Sequence, residues 1–261
     1  MRFKITLNRT STQNSLPASY QYELSAWIYR LLENADTDYS EYLHTQGHQV
    51  PNSSKNFKLF CFSNLFIRPF EIHGDRLYVI PKKLHFFVSF YVDKTAEHFI
   101  LGLFRDQQFR LGDKISQVNF TVENVEVLPL PAFTEEMTYN LFSPVVVGRE
   151  NVGKQVSYLP PTDEQFAEFA KQNLCDKYLS IHTNLPTAWQ YATFEILPIQ
   201  PEKAQSKLVV IKANTLAETK VKGYQRFQIQ MTAPIELHEL VLMTGFGQKN
   251  SQGFGYCSEV N

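Results

Sequence analysis

Hydrophobic spacing along this chain changes period in a fixed order, and that order limits the fold more than any single residue does. In "RFKITLN", Phe3, Ile5 and Leu7 alternate with polar residues, the period of a half-buried strand. From Tyr20 to Asn34 the spacing lengthens. Leu24, Trp27, Ile28 and Leu31 recur at three and four residues and lay one apolar stripe on a helix. "NFKLFCFSNLFI" and "LHFFVSFYV" are aromatic and β-branched runs suited to strands. Thr95 is placed to N-cap a second amphipathic helix carrying Ala96, Phe99, Ile100 and Leu103, and Val118, Phe120 and Val122 alternate in a closing strand. The order β-α-β-β-α-β is that of a ferredoxin-like unit.

After Pro129 and Pro131 a second pass follows. "YNLFSPVVVGR" reads as a strand broken at Pro144, residues 163–173 as a helix, and "ATFEILPI", "SKLVVIKA" and "GYQRFQIQM" as strands. "PIELHELVLMTG" reads as a helix started by proline, and "GFGYCSEV" as a last strand. The expectation is an α+β chain of two tandem ferredoxin-like, or RRM-like, domains at residues 1–128 and 137–261. A chain of 261 residues with 43% hydrophobic content has enough apolar surface for two cores.

No apolar run approaches the ~18 residues of a membrane span, and the first residues do not resemble a signal peptide, so a cytoplasmic protein with no membrane partner is expected. Cys61, Cys175 and Cys257 are odd in number and include no CxxC pair, which supports neither a disulfide framework nor a thiolate zinc site. No cofactor and no metal is expected. The net charge is −1, but residues 115–199 hold 4 Lys+Arg against 10 Asp+Glu, so an anionic partner should meet surfaces built from the two ends.

Four of the 11 glycines fall within "TGFGQKNSQGFGY", residues 244–256. A helix-to-strand join needs about 2 to 6 residues and one glycine. The longer pattern admits two readings. Gly245, Gly247, Gly253 and Gly255, with Lys249, form a cradle for RNA backbone or phosphate, or they only permit tight bends in a mobile hairpin. The context fits neither a dinucleotide fingerprint nor a P-loop.

"GFGQKNSQGFG" after an amphipathic helix, with "AWIYRLL", "EYLHTQG" and "FKLFCFS" near the N-terminus, resembles the CRISPR-associated endoribonucleases that process CRISPR repeat transcripts, members of the RAMP superfamily. The resemblance implies two ferredoxin-like domains and metal-independent cleavage within the repeat by 2'-hydroxyl attack. The products would carry a 2',3'-cyclic phosphate and a 5'-hydroxyl. Implied partners are the repeat RNA and further subunits of a CRISPR interference complex, with the chain itself a monomer or a homodimer. A non-catalytic repeat-RNA-binding RAMP subunit is the alternative. A small-molecule nucleotide enzyme on the same fold is a third reading, which the lack of paired carboxylates disfavours.

Such cleavage needs a base for the 2'-hydroxyl, an acid for the leaving 5'-oxygen and positive charge for the phosphorane. Histidine suits either proton role near neutrality. His44, in "YLH" near the end of a short helix starting around Asp38, is the first choice. His48, beyond Gly47, is the poorer catalyst and a candidate RNA contact. Both also read as loop histidines, since five others need no site. Tyr29 lies about 100° around the helix from Ile28, at the margin of the apolar stripe. The resemblance gives it the task of orienting or helping to deprotonate the 2'-hydroxyl, and a boundary aromatic is the plainer reading. Lys58 offers a fixed charge to the phosphorane, with Lys55 as competitor and a guarded strand edge as the alternative. The polar insert "TQGHQVPNSSKN" leaves the span from His44 to Lys58 open, and the acid and base roles stay unassigned. For RNA binding, Lys220, Lys222 and Arg226 lie on a hairpin with Tyr224 and Phe227 interleaved for stacking, and Arg149 follows "SPVVVG".

Overall fold

The computed structural model describes residues 1–151, 156–213 and 215–260. The chain opens with strand β1 (Arg2–Arg9), which buries Phe3, Ile5 and Leu7, and the short β2 (Ser15–Pro17). Helix α1 (Gln21–Ala35) follows, its stripe of Leu24, Trp27, Ile28 and Leu31 fully enclosed. Asp36 leaves the helical region (φ −155°, ψ 105°), and its carboxylate accepts from Tyr39 N at 2.9 Å, so one residue ends α1 and caps α2 (Thr37–Thr45). The expected strand over residues 56–67 is broken up. After β3 (His48–Gln49) come β4 (Asn56–Phe57) and β5 (Phe60–Phe62), separated at Leu59, whose φ is +51°. The hairpin β6 (Phe70–His73) and β7 (Arg76–Val79) leads into β8 (Lys83–Phe90).

Helix α3 (Asp93–Arg105) corrects one expectation, because its N-cap is Val92 and Thr95 lies inside the first turn. The Thr95 hydroxyl is buried and hydrogen-bonded to the Tyr39 phenol, which takes it out of capping. At Gly102 of α3 a Cβ would fall 2.0 Å from the Leu31 carbonyl oxygen, so glycine is what lets α3 lie against α1. β9 (Gln108–Gly112) and β10 (Gln117–Leu128) close the unit. The sheet order is β5-β8-β1-β10-β9, all antiparallel, with the first strand of the motif central, as the ferredoxin-like arrangement requires.

The second unit repeats this plan with β11 (Glu136–Leu141), the hairpin β12 (Gly148–Glu150) and β13 (Val156–Tyr158), and α4 (Phe166–Leu179), which runs past the expected residue 173. β14 (Glu195–Ile199), the hairpin β15 (Gln205–Ile211) and β16 (Thr219–Gln225), β17 (Gln228–Thr232), α5 (Ile235–Thr244) and β18 (Cys257–Glu259) complete it. "GYQRFQIQM" is thus two strands, parted at Arg226 with φ +66°. The sheet order β14-β17-β11-β18 is again that of a ferredoxin-like domain.

Each domain has its own core, and the two dock through specific contacts. Arg2, 3% exposed, donates to Tyr256 Oη and to the Cys257 carbonyl oxygen, both at 3.1 Å. Phe87 stacks on Tyr256 with centroids 5.9 Å apart. Cys61 and Cys257 are free and buried at this junction. No helix among the described residues is long and apolar enough to cross a membrane.

Candidate functional site

The polar insert after α2 folds back on itself. His48 and Gln49 pair with Phe57 and Asn56, and this small hairpin returns the chain so that Lys58 Nζ donates to the His44 carbonyl oxygen at 2.9 Å. The His44–Lys58 span that the sequence left open is therefore short. Gly47 makes the approach possible: its φ is +62°, and a Cβ there would fall 2.9 Å from Lys58 Cδ and 2.6 Å from the Phe57 carbonyl oxygen. Lys55 is directed elsewhere, to Asp176 of α4 at 2.6 Å. Tyr29 reaches the same place from α1, with its ring edge-on to His44 at 5.3 Å and to Phe60 at 5.6 Å. Tyr29, His44 and Lys58 thus converge, while Lys55 ties the two domains together.

Burial pushes the Tyr29 phenol up to about 12, partly offset by the hydroxyl of Ser251. The phenol therefore keeps its proton near neutrality. Desolvation lowers the Lys58 ammonium and also His48, the latter further disfavoured in its charged form by Lys58. His48 is half-buried, and its Nε2 has no hydrogen-bond partner among the described residues. The His44 ring is open to solvent. The cluster offers one accessible imidazole, one protonated phenol and one ammonium, which is enough to exchange protons with a phosphodiester and to balance its charge.

The glycine-rich loop sits beside this cluster but is not an open cradle. Gly245, Gly247, Gly253 and Gly255 are all buried with positive φ. A Cβ would fall 2.3 Å from the Val146 carbonyl oxygen at Gly247, 2.8 Å from the Phe62 ring at Gly253 and 1.9 Å from the Phe246 carbonyl oxygen at Gly255. The amides of Phe246, Gln248, Gly253 and Gly255 are spent on Gly255, Val146, Asn250 and Pro144 carbonyl oxygens. Asn250 Nδ2 bridges the Phe246 and Phe254 carbonyl oxygens at 3.1 and 3.0 Å. At the start of the loop the buried Lys177 Nζ donates to the Gly245 carbonyl oxygen at 2.5 Å, and burial pushes this ammonium down to about 7. Lys249 alone of the loop's central residues is exposed. Gly247 and Gly255 let the loop pack tightly within its own domain and Gly245 and Gly253 let it lie against Cys61, Phe62 and Gln21 of the first, so the loop is neither the open cradle nor the mobile hairpin that the sequence left level.

A family model for the C-terminal part of the CRISPR-associated protein Cas6 matches residues 128–259, and a second, for the N-terminal part, matches residues 15–126. The chain belongs to the CRISPR-associated Cas6 family. Among the relatives of this Cas6 chain, the CRISPR-associated endoribonuclease Cas6 1 of Methanocaldococcus jannaschii is 27% identical over 262 residues, covering 100% of this chain and 93% of the relative. The CRISPR-associated endoribonuclease Cas6 of Pyrococcus furiosus is 27% identical over 259 residues, covering 98% and 88%. Among solved structures, a Cas6-related gene product from Pyrococcus furiosus superposes with a TM-score of 0.82 at 20% identity over 100% and 98% of the two chains. An RAMP protein binding different RNA substrates gives 0.80 at 17% identity over 100% of both.

The basic residues expected on the Cas6 C-terminal domain separate into two kinds. Lys220, Lys222 and Arg226 are exposed, with Lys220 3.9 Å from Glu218 and Lys222 over the Tyr224 ring. Tyr224 and Phe227 are 8% and 5% exposed and belong to the core, which corrects their assignment to base stacking. Arg149 is half-buried and donates to Gln165 Oε1 at 2.5 Å. Ser143 is buried and accepts from Tyr256 N. Lys207, which the sequence places on the same hairpin as an RNA contact, lies instead over the Tyr20 ring, and burial pushes it down to about 8. Among the described residues no group of three or more His, Cys, Asp or Glu is gathered as a metal-ligand set.

Proposed function

We propose that the chain is an endoribonuclease that cuts CRISPR precursor RNA within its repeats to release guide RNAs. The observation that carries this is the convergence of Tyr29, His44 and Lys58, brought together from α1, α2 and the strand edge after the β3–β4 hairpin. In the reaction the 2'-oxygen attacks the adjacent phosphorus and the bond to the 5'-oxygen breaks. The proton of the 2'-hydroxyl goes to a base, and another is delivered to the leaving oxygen. His44, the accessible imidazole, carries these transfers. Tyr29, kept protonated by burial, donates a hydrogen bond to the 2'-oxygen or to the phosphate. Lys58 has two tasks: it fixes the His44 main chain, and its charge stabilises the dianionic phosphorane.

RNA approaches along the exposed Lys220, Lys222 and Arg226, past Lys249, with His48 and Arg149 as contacts nearer the junction. Gly245 and Gly253 shape this path by letting the loop lie against the first domain, and Gly247 and Gly255 by letting it fold tightly on its own. Side chains alone supply the protons and charge in this scheme, with neither metal nor cofactor. The test is incubation of labelled repeat RNA with the protein in excess EDTA, beside a copy with one 2'-deoxy at the cut position. Cleavage of the first to a 2',3'-cyclic phosphate, with the second intact, is expected. Equal cutting of both discards the 2'-hydroxyl mechanism, and tight binding without any cutting assigns the chain to the non-catalytic RNA-binding subunits.

A further inference from the structure

His44 is presented by α2, a helix with little of its own to hold it. It has nine residues, a length that is marginal in isolation, and only Ser40 and Leu43 of its side chains are buried. The roll of α2 about its axis therefore decides where the His44 ring points.

Residues four apart share a face of a helix, so Ser40 and His44 both look towards α1. Ser40 Oγ donates to the Tyr29 carbonyl oxygen at 3.4 Å, and one turn later the His44 ring lies edge-on to the Tyr29 ring. α1 is held in turn by the second domain: Ser25 Oγ, one turn before Tyr29, donates to the Ser251 carbonyl oxygen at 2.7 Å.

The neighbouring face of α2 carries Tyr39 and Leu43 and meets a different element. The Tyr39 phenol is hydrogen-bonded to the hydroxyl of Thr95 on α3, which is 1% exposed and makes no other side-chain hydrogen bond among the described residues. The Tyr39 ring is flanked by Lys94 Nζ at 4.7 Å and by the His98 ring at 5.0 Å, and Asp36, the cap of α2, stands 3.8 Å from His98 Nδ1. Tyr39 and buried Leu43 thus fix one side of the helix at two points a turn apart. Lys58 holds the far end through the His44 carbonyl oxygen, which points along the axis and so limits tilt more than roll.

The geometry points to Tyr39 as a positioning residue for cleavage: its phenol, seated on the buried Thr95 hydroxyl, sets the roll of α2 and with it the direction in which His44 presents its imidazole to the RNA. A displacement of about 1 Å at a reacting group costs on the order of 10²-fold in rate, and loosening one of two fixing points costs a fraction of that. The assignment rests on the reading of His44 as the group that moves protons.

The experiment is single-turnover cleavage of repeat RNA, at saturating protein, by the full chain and by Tyr39→Phe, Thr95→Val, Thr95→Ser, His44→Ala and the double variant His44→Ala with Tyr39→Phe, each assayed where its circular dichroism matches the parent's. Tyr39→Phe is expected to slow the cleavage step about five- to tenfold with the RNA Kd unchanged. Thr95→Val, which removes the other half of the same bond, should cost the same factor, and Thr95→Ser, which keeps the hydroxyl, should cut at close to the parent rate. In the His44→Ala background, Tyr39→Phe should cost nothing more. If Tyr39→Phe cuts at the parent rate, or costs the same factor with and without the imidazole, Tyr39 does not act through His44. Equal slowing by Thr95→Ser and Thr95→Val would make packing the cause and refute the hydroxyl seat, as would a loss that appears only in RNA binding. If His44→Ala is itself fully active, the role given to His44 fails, and the positioning role goes with it.

Discussion

The two domains share one topology and enlarge it at different joins. In the N-terminal domain the enlarged join runs from α1 to β5, where α2 and the β3–β4 hairpin hold exposed His44 and partly desolvated Lys58. In the C-terminal domain it runs from α5 to β18, where a buried loop spends its amides on its own fold. One join presents polar side chains to solvent, and the other removes side chains so that backbone fits against backbone. The lesson is that glycine density and polar side chains need not coincide: the loop is a brace, and the exposed histidine and the partly desolvated lysine lie on the join it braces.

That contrast can be broken most sharply at His44. Because the ring is exposed, His44→Ala should leave folding and RNA affinity intact while slowing cleavage by about 10²- to 10⁴-fold, the usual span for a lost acid–base group. Rapid-quench assays with a parallel binding isotherm check this, and a rate within threefold of the parent would move the chemistry elsewhere.

On the opposite side, Gly255→Ala should cost about 2–4 kcal/mol of stability in urea titration, because a positive φ combines with a backbone collision. Gly74→Ala, at φ +61° but facing open space, should cost only about 1 kcal/mol. Equal losses would mean that the loop's crowding contributes nothing beyond its dihedral angles.

A smaller effect separates the anchor of the loop from the loop itself. Lys177 has a folded pKa near 7 against an ordinary value of 10.5, so between these the unfolded chain binds more protons and stability rises with pH. From pH 7 to 8.5 this group should add about 1–2 kcal/mol. Above that window the buried thiols Cys61 and Cys257, both pushed up by burial, act in the opposite direction. Lys177→Met should flatten the rise, and an unchanged slope in chemical denaturation would remove Lys177 as its source.

Much of the fold was legible because it rests on periodicity. The stripe on α1 and the alternation in β1 are core positions and appear as such. What escaped lacks that signature: β6 is exposed along its whole length, β2 has three residues, and β9 is an added edge strand. The Thr95 cap was misplaced because a hydroxyl fit for capping was engaged by Tyr39, an interaction 56 residues distant in sequence. The candidate site divides the same way. His44, Tyr29 and Lys58 stand out by residue type and by resemblance, whereas their closeness depends on a two-residue β3–β4 pairing that no pattern announces. Lys177 was invisible, since a lysine on a helix looks alike wherever it points.

The contact between Ser251 and α1 also sets an order in time. On the ribosome Tyr29 is made roughly 220 residues before Ser251, so at ordinary synthesis rates α1 exists for about 10 to 45 s without its brace. The first domain therefore spends that interval with the face of α1 that the loop will cover still open, and the contact forms only when the second domain has emerged and closed on it.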